Sequence, residues 1–296
     1  MTNPFRPVLV AIVILLAAAS PLTADSVNPT VTILCYHEVE PEDAPSHATI
    51  PRKSATESST AEQKRYVAPL DSFRQQLDYL QTEGFTVISL ATLHDFLTKQ
   101  RLSLPDKSVV ITVDDGWLCA RTHIYPEMKK RDLPWTLFIY PKTISRGTHS
   151  LTWKQVAELS SNGVDIQSHS FTHPFLSRDK HPEMTDSEYS SWLENELLGS
   201  RTRIETGTGK SVRFLCYPFG DHDAGVVEAA AKYGYQAALT TERGSNDLSS
   251  DPMRLKRQLI HNTTTLEDFA GWLRGASPTV PLPSQTIVVP FGDPKP

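Results

Sequence analysis

Two short runs in this chain carry the residue types of a single metal site. Val113-Asp114-Asp115-Gly116 closes an apolar run that begins at Val109, and His169-Ser170-Phe171-Thr172-His173 follows the run Val164 to Ser168. Two imidazoles and one carboxylate can hold a divalent cation while leaving positions open for catalysis. Asp115, His169 and His173 are therefore the expected ligands. The histidines lie four residues apart, a spacing that on a helical turn brings both rings to one side, and Pro174 limits any helix there to one turn. Zinc suits this donor set first, with cobalt, nickel or iron as alternatives. A cation of this kind lowers the pKa of bound water from ~15.7 toward ~7. Asp114, beside Asp115 and not needed as a ligand, is then the expected base that takes a proton from water attacking a carbonyl. The bland alternative is two surface histidines and an Asp-Asp-Gly turn. It weakens because both runs sit at strand ends.

A leaving amine needs a proton. His37 in Leu34-Cys35-Tyr36-His37 stands where the first strand should end, and imidazole titrates near neutrality. His261, after a late strand, is the rival acid. A tetrahedral oxyanion needs donors, and the turn Tyr217-Pro218-Phe219-Gly220 could supply them. Pro218 has no N–H, so Phe219 is the expected donor, with Tyr217 grouped beside it at the substrate.

These residues require a scaffold that gathers distant strand ends. The pattern alternates short strands (near 31–35, 85–88, 109–113, 135–140, 164–168, 212–217, 236–239 and 258–260) with amphipathic helices (near 71–83, 89–97, 120–131, 152–161, 186–205, 223–233 and 266–274). Such alternation predicts an α/β fold with a parallel sheet, either a barrel or an open doubly wound sheet. No Gly-x-Gly-x-x-Gly run follows a strand, which counts against a dinucleotide fold. In a β/α barrel the strand C-termini meet on one face, which would bring His37, Asp114, Asp115, His169, His173 and the turn at 217–220 together.

The 296 residues carry a formal charge of -5 with both signs interspersed, and 39% are hydrophobic. That composition suits a globular domain and lacks the clustered Lys and Arg of a nucleic-acid footprint. Arg6, the apolar stretch Val8 to Ala19 and the small residues up to Ala24 read as a signal peptide over 1–24, with an uncleaved anchor as the alternative. Export to a periplasm or beyond follows. The domain is then 25–275, with a polar loop insertion over 40–69 and a proline-rich tail over 276–296. Cys35, Cys119 and Cys216 match no zinc-finger spacing and read as buried small side chains, one disulfide remaining open as an alternative.

Asp-Asp-Gly after a strand, then His-x-x-x-His, then a Pro-aromatic-Gly turn resembles the polysaccharide deacetylases, the NodB-homology domain or family 4 carbohydrate esterases, from about Thr30 to Arg274. The opening Ile33-Leu34-Cys35-Tyr36-His37 is similar to the poly-N-acetylglucosamine deacetylase branch of biofilm assembly. The resemblance implies a distorted (β/α)7-type barrel and metal-dependent removal of N-acetyl groups from a β-linked N-acetylglucosamine polymer. It implies Asp114 as base, Asp115, His169 and His173 as ligands, and His37 as acid. In other branches the acid lies near the C-terminal end, where His261 stands. Envelope polysaccharide-export machinery is the partner implied. The chain departs from the pattern in two ways. Cys216 occupies the position of an arginine that orients the base in many members, and Arg213 is out of register. No match to the family's Asp-Trp motif is evident, and Trp153 and Trp192 read as packing residues. A noncatalytic glycan-binding member and a deacetylase of another acetylated substrate, such as a xylan ester or a small amide, are the alternatives.

Overall fold

A computed structural model describes residues 29–42 and 65–275. The expected signal peptide, most of the 40–69 insertion and the tail lie outside the described residues. The elements run β1 (Val31–Tyr36), β2 (Glu38–Glu40), β3 (Val67–Pro69), α1 (Leu70–Thr82), β4 (Thr86–Val87), α2 (Leu90–Leu97), β5 (Ser108–Val113), α3 (Tyr125–Lys130), β6 (Thr136–Ile139), α4 (Trp153–Ser161), β7 (Asp165–Ser168), α5 (Asp186–Glu194), α6 (Ser200–Thr208), β8 (Phe214–Cys216), α7 (Ala224–Lys232), β9 (Ala237–Leu239), β10 (Ser245–Asn246), β11 (Gln258–Leu259) and α8 (Leu266–Leu273).

The main sheet has the order β10-β1-β5-β6-β7-β8-β9, with β4 also on β5 and β11 also on β1. All of its pairings are parallel except β10 with β1. The sheet curls into a distorted barrel, and the segment 255–259 spans its open side. Leu255 bridges Leu239 of β9, while Gln258 and Leu259 pair with Leu34 and Cys35 of β1. Every residue of β1 and β5 is buried, as expected where helices cover one face and the barrel interior the other.

Period-two alternation divides the core. Leu34, Tyr36, Val109, Ile111 and Val113 face the helices with Phe73 and Leu77 of α1. Val31, Ile33, Val110, Phe138, Phe214 and Leu239 face inward, where Leu90, Leu93, Phe96 and Leu97 of α2 pack against them. Ser89 caps α2, its hydroxyl accepting from the Thr92 N–H at 3.0 Å. The interior is thus apolar around α2. Further along the same inward positions stand Cys35, Thr112, Asp114 and Cys216, the polar end of the barrel.

The expected helices and strands form with ends shifted by a few residues. The helix expected over 186–205 is continuous but contains a π-helical turn, Asn195–Gly199, between α5 and α6. A further small parallel sheet, β2 with β3, ties together the two described ends of the 40–69 insertion. It carries Tyr66 beside His37, with ring centroids 4.8 Å apart.

Candidate metal and acid–base site

Asp114 and Asp115 follow β5, and the chain turns sharply between them. Asp115 adopts φ 81° and Gly116 φ 84°, both left-handed. Glycine is required at 116 twice over: a Cβ there would lie 3.0 Å from Ile139 Cγ2 and 3.0 Å from Ile144 Cδ1. The turn sends the two carboxylates in different directions. Asp114 points into the barrel and is 1% exposed. Asp115 faces the mouth, where its Oδ2 accepts from Trp117 Nε1 at 3.0 Å and its Oδ1 faces both histidines.

The histidine run is an irregular loop instead of the helical turn that its spacing suggested. Ser170 and His173 both have positive φ, at 60° and 64°. Glu196, on the π-helical turn and 1% exposed, accepts from the N–H groups of Phe171 and Thr172 at 3.0 and 2.8 Å and from the Thr172 hydroxyl at 2.8 Å. The Ser170 hydroxyl accepts from the His173 N–H, and the Ser200 hydroxyl donates to the Ser170 carbonyl. A π-turn inside a helix here supplies the carboxylate that clamps the loop.

His169 Nδ1 donates to the Cys216 carbonyl at 2.8 Å, so Nε2 is the nitrogen left for a ligand. Burial, followed by the neighbouring His173, pulls the His169 pKa down to about 4, which keeps the ring neutral and able to coordinate. Nε2 lies 3.7 Å from Asp115 Oδ1, and His173 Nε2 lies 3.6 Å from the same oxygen. Donors at ~2.0–2.1 Å from one tetrahedral ion stand about 3.3–3.4 Å apart. Asp115, His169 and His173 therefore fit a divalent ion with little adjustment.

Asp114 is held by an arginine that the sequence reading did not identify. Arg257, just before β11 and 1% exposed, donates from Nη1 to Oδ1 at 3.0 Å and makes an ion pair from Nη2 to Oδ2 at 2.9 Å. Its Nε donates to the Thr240 carbonyl at 2.8 Å. Burial alone would raise the Asp114 carboxyl pKa. The charges of Arg257, His169 and His37 outweigh it and hold the pKa well below the usual carboxylate range. The thiols of Cys35 and Cys216 approach Oδ2 at 3.5 and 3.4 Å. All three cysteines are buried and free, so none forms the disulfide left open by the sequence. The arginine position in the third motif, taken by Cys216, is made good from a different strand end. Arg213 stays outside, its guanidinium over Phe214.

His169 Nε2 also lies 3.9 Å from Asp114 Oδ2, so the Asp114 carboxylate borders the group formed by Asp115, His169 and His173. His37, Cys35 and Asp114 each offer an atom within 4.8 Å of the others. His37 Nδ1 is buried and has no hydrogen-bond partner. His261 is 6% exposed and meets the Tyr66 ring edge-on at 5.4 Å, Tyr66 in turn lying 4.8 Å from the His37 ring. Burial, Arg65, Arg243 and His37 together pull the His261 pKa down to about 4.

Phe219 stands beside His173, with ring centroids 4.6 Å apart, and stacks on Phe175 at 4.4 Å. It adopts φ 60°, and Gly220 follows at φ 73°, where a Cβ would lie 2.7 Å from the Thr241 nitrogen. Tyr217, grouped with Phe219 in the sequence reading, does not face the site. Its N–H donates to the Leu239 carbonyl and its hydroxyl to the Met253 carbonyl. The strand geometry of 214–216 continues through Tyr217 and turns its ring into the core, against His222. Trp153 and Trp192 pack as expected, against Arg203 and against His181 with Tyr189.

The fold agrees with the comparisons to known proteins. The polysaccharide deacetylase family model matches residues 101–238 of this chain. YxkH of Bacillus subtilis is 29% identical over 181 residues, which cover 60% of this chain and 60% of YxkH. The poly-beta-1,6-N-acetyl-D-glucosamine N-deacetylase of Staphylococcus epidermidis is 25% identical over 73% of this chain and 76% of its own. Among solved structures, the Streptococcus pyogenes deacetylase PplD in complex with acetate superposes with a TM-score of 0.68 at 21% identity, over 83% of this chain and 99% of that one, which shows the shared fold.

Proposed function

We propose that this chain is a metal-dependent N-deacetylase of a β-linked N-acetylglucosamine polysaccharide. The observation that carries the reading is the division of labour between adjacent carboxylates. Asp115 joins His169 and His173 in a ligand triad, while Asp114 is clamped by Arg257 with Oδ2 bordering that triad. A divalent ion in the triad would supply Lewis-acid polarisation of the acetyl carbonyl and acidify a water molecule; zinc fits first, with cobalt, nickel or iron as alternatives.

The protein groups do the rest. Asp114, kept ionised and fixed by the bidentate Arg257, takes the proton of the attacking water. The Phe219 N–H, on the turn beside His173, donates to the developing oxyanion. His37 protonates the leaving amine nitrogen, supported by its unpartnered, buried Nδ1 and by a ring nitrogen within 4.8 Å of an Asp114 oxygen. His261 is disfavoured as the acid, since a pKa near 4 leaves it unprotonated at neutral pH. The β-1,6-linked polymer is the preferred substrate, by likeness to the Staphylococcus epidermidis enzyme. The polar composition of 40–69 and the expected export fit work on an envelope polymer, alongside polysaccharide-export machinery. A third motif without its arginine would suit a noncatalytic binding module, but Arg257 supplies the contact to Asp114 instead, which favours the enzyme. The test is acetate release from β-1,4 and β-1,6 N-acetylglucosamine oligomers. Release should stop with chelator and return with added metal; no release from either series by metal-loaded protein would defeat the reading.

A further inference from the structure

Asp221 ends the turn that carries Phe219, and the proposed reaction does not use it. Its carboxylate reaches across to the segment that follows His173. Oδ2 accepts from the Leu176 N–H at 2.6 Å and from the Ser177 N–H at 2.7 Å. The Ser177 hydroxyl, whose one proton is shared with Asp179, lies 2.8 Å from Oδ1. Ser177 is 5% exposed, so these bonds are shielded from water. Asp223 extends the latch by one residue. Its Oδ2 accepts from the Arg178 N–H at 2.7 Å, while its Oδ1 accepts from the Val226 N–H and caps α7. The histidine loop and its exit are thus held at two places by carboxylates from different elements: Glu196 holds 171–172, and Asp221 holds 176–177.

The latch joins the two segments whose relative placement the chemistry needs. Phe175, one residue before the latched pair, stacks on Phe219 at 4.4 Å, and the Phe219 ring meets that of His173 at 4.6 Å. Phe219 holds a left-handed φ of 60°, costly for an aromatic residue, and such strain persists only where the surroundings over-determine it. Bonds within the turn do part of this. The Gly220 N–H donates to the Tyr217 carbonyl at 2.9 Å and the Asp221 N–H to the Pro218 carbonyl at 3.0 Å. The Thr241 hydroxyl donates to the Phe219 carbonyl at 3.2 Å and anchors the turn to the segment after β9. The bonds from 176–177 to Asp221 add the tie to the histidine loop.

We propose that Asp221 is a positioning residue, which sets the Phe219 N–H against His173 by latching residues 176–177 to the turn at 217–220. The inference rests on the deacetylase reading for the role of that N–H. The latch works through its hydrogen-bond acceptors more than through its charge, and on the oxyanion donor more than on the metal. A misplacement of about 1 Å can cost about 10²-fold in rate, and complete loss of one oxyanion donor about 10²–10³-fold. A turn loosened but still present should fall short of either.

The experiment compares zinc-loaded wild-type protein with Asp221→Ala and Asp221→Asn on an N-acetylglucosamine oligomer. Asp221→Ala should lower kcat about 30-fold, while KM and zinc affinity stay within about threefold of wild type. Asp221→Asn keeps an oxygen for both N–H groups and should stay within about fivefold in kcat. If Asp221→Ala does not fold, Asp221→Asn combined with Ser177→Ala, which weakens the latch without removing it, is read in its place, with a loss of about tenfold expected. Hydrogen exchange of the same proteins without substrate separates the latch from the deacetylase reading. Peptides covering 174–178 and 217–221 should both exchange about tenfold faster in the weakened variant, while 164–172, held by Glu196, changes less than about twofold. Faster exchange at 174–178 alone, a kcat within about threefold of wild type, or an Asp221→Asn as slow as Asp221→Ala overturns the proposal. A fall in zinc affinity matching the fall in kcat would assign the latch to the ligand and overturn it as well. A wild type that releases no acetate would defeat the deacetylase reading and with it the role of the Phe219 N–H, while coupled exchange of the two peptides would still support the latch between them.

Discussion

Asp114 and Asp115 share a peptide bond and almost nothing else. Asp115 sits at the mouth on a left-handed turn, in reach of two imidazoles, where an incoming cation would neutralise it. Asp114 is sealed inside the barrel, already neutralised by Arg257. The difference teaches how one short motif can serve two roles. Under the proposed function, the ligand would get its charge partner from outside the protein, whereas the base gets its partner from the fold and need not enter the coordination shell.

The comparison breaks most clearly at turnover. Asp114→Asn keeps the shape and the Arg257 contact geometry but removes the base, and we expect kcat to fall by about 10²–10⁴, measured as acetate release at saturating metal. Turnover within a few-fold of wild type would transfer the base role elsewhere. Next comes stability. Arg257→Met strands a buried carboxylate, with an expected loss of about 3–5 kcal/mol in denaturant unfolding, and adding Asp114→Leu should recover most of it because the unpaired charge goes too. If the double variant is no more stable than the single one, the ion pair is not what holds that interior together.

Smaller effects sharpen the other half. Glu196→Gln weakens the clamp on the histidine loop without touching a ligand, and we expect metal affinity to drop about tenfold in a competition titration, with the fold intact by circular dichroism. The effect smallest at neutral pH concerns His261. Its folded pKa of about 4 lies below the unfolded value of ~6.5, so the unfolded chain binds a proton that the folded chain refuses. The stability this costs is absent above pH ~6.5 and grows as pH falls toward 4, to about 3 kcal/mol. His261→Gln should flatten the stability profile over that interval in urea titrations at stepped pH.

Much of this was legible in the sequence. The apolar run 109–113 ending in two aspartates, and the histidine pair after 164–168, read directly because strand period and polar strand ends are local signals. Alternation alone led to a parallel α/β sheet, barrel or open, and only the family resemblance chose the barrel. Arg257 did not, because its partner lies 143 residues away and only closure of the sheet by 255–259 brings the two together. The available signal was a lone arginine opening the run Gln258-Leu259-Ile260, too weak without the topology. Glu196 was hidden for a similar reason: inside a helical pattern, only the π-helical turn reveals that it faces the loop at 169–173. Tyr217 misled because a motif at a strand end does not say which of its residues continues the strand. β2, β3 and β10 are two or three residues long, below what periodicity can show.

The most direct test is equilibrium dialysis against zinc for Asp114→Asn and Asp115→Asn, with metal counted per chain. We expect Asp114→Asn to retain about one equivalent at an affinity within a few-fold of wild type. Asp115→Asn should lose at least about 100-fold, more than removal of an outer-shell partner costs. Equal loss in both variants would mean that the two carboxylates share the ion, and the separation of ligand from base would be wrong.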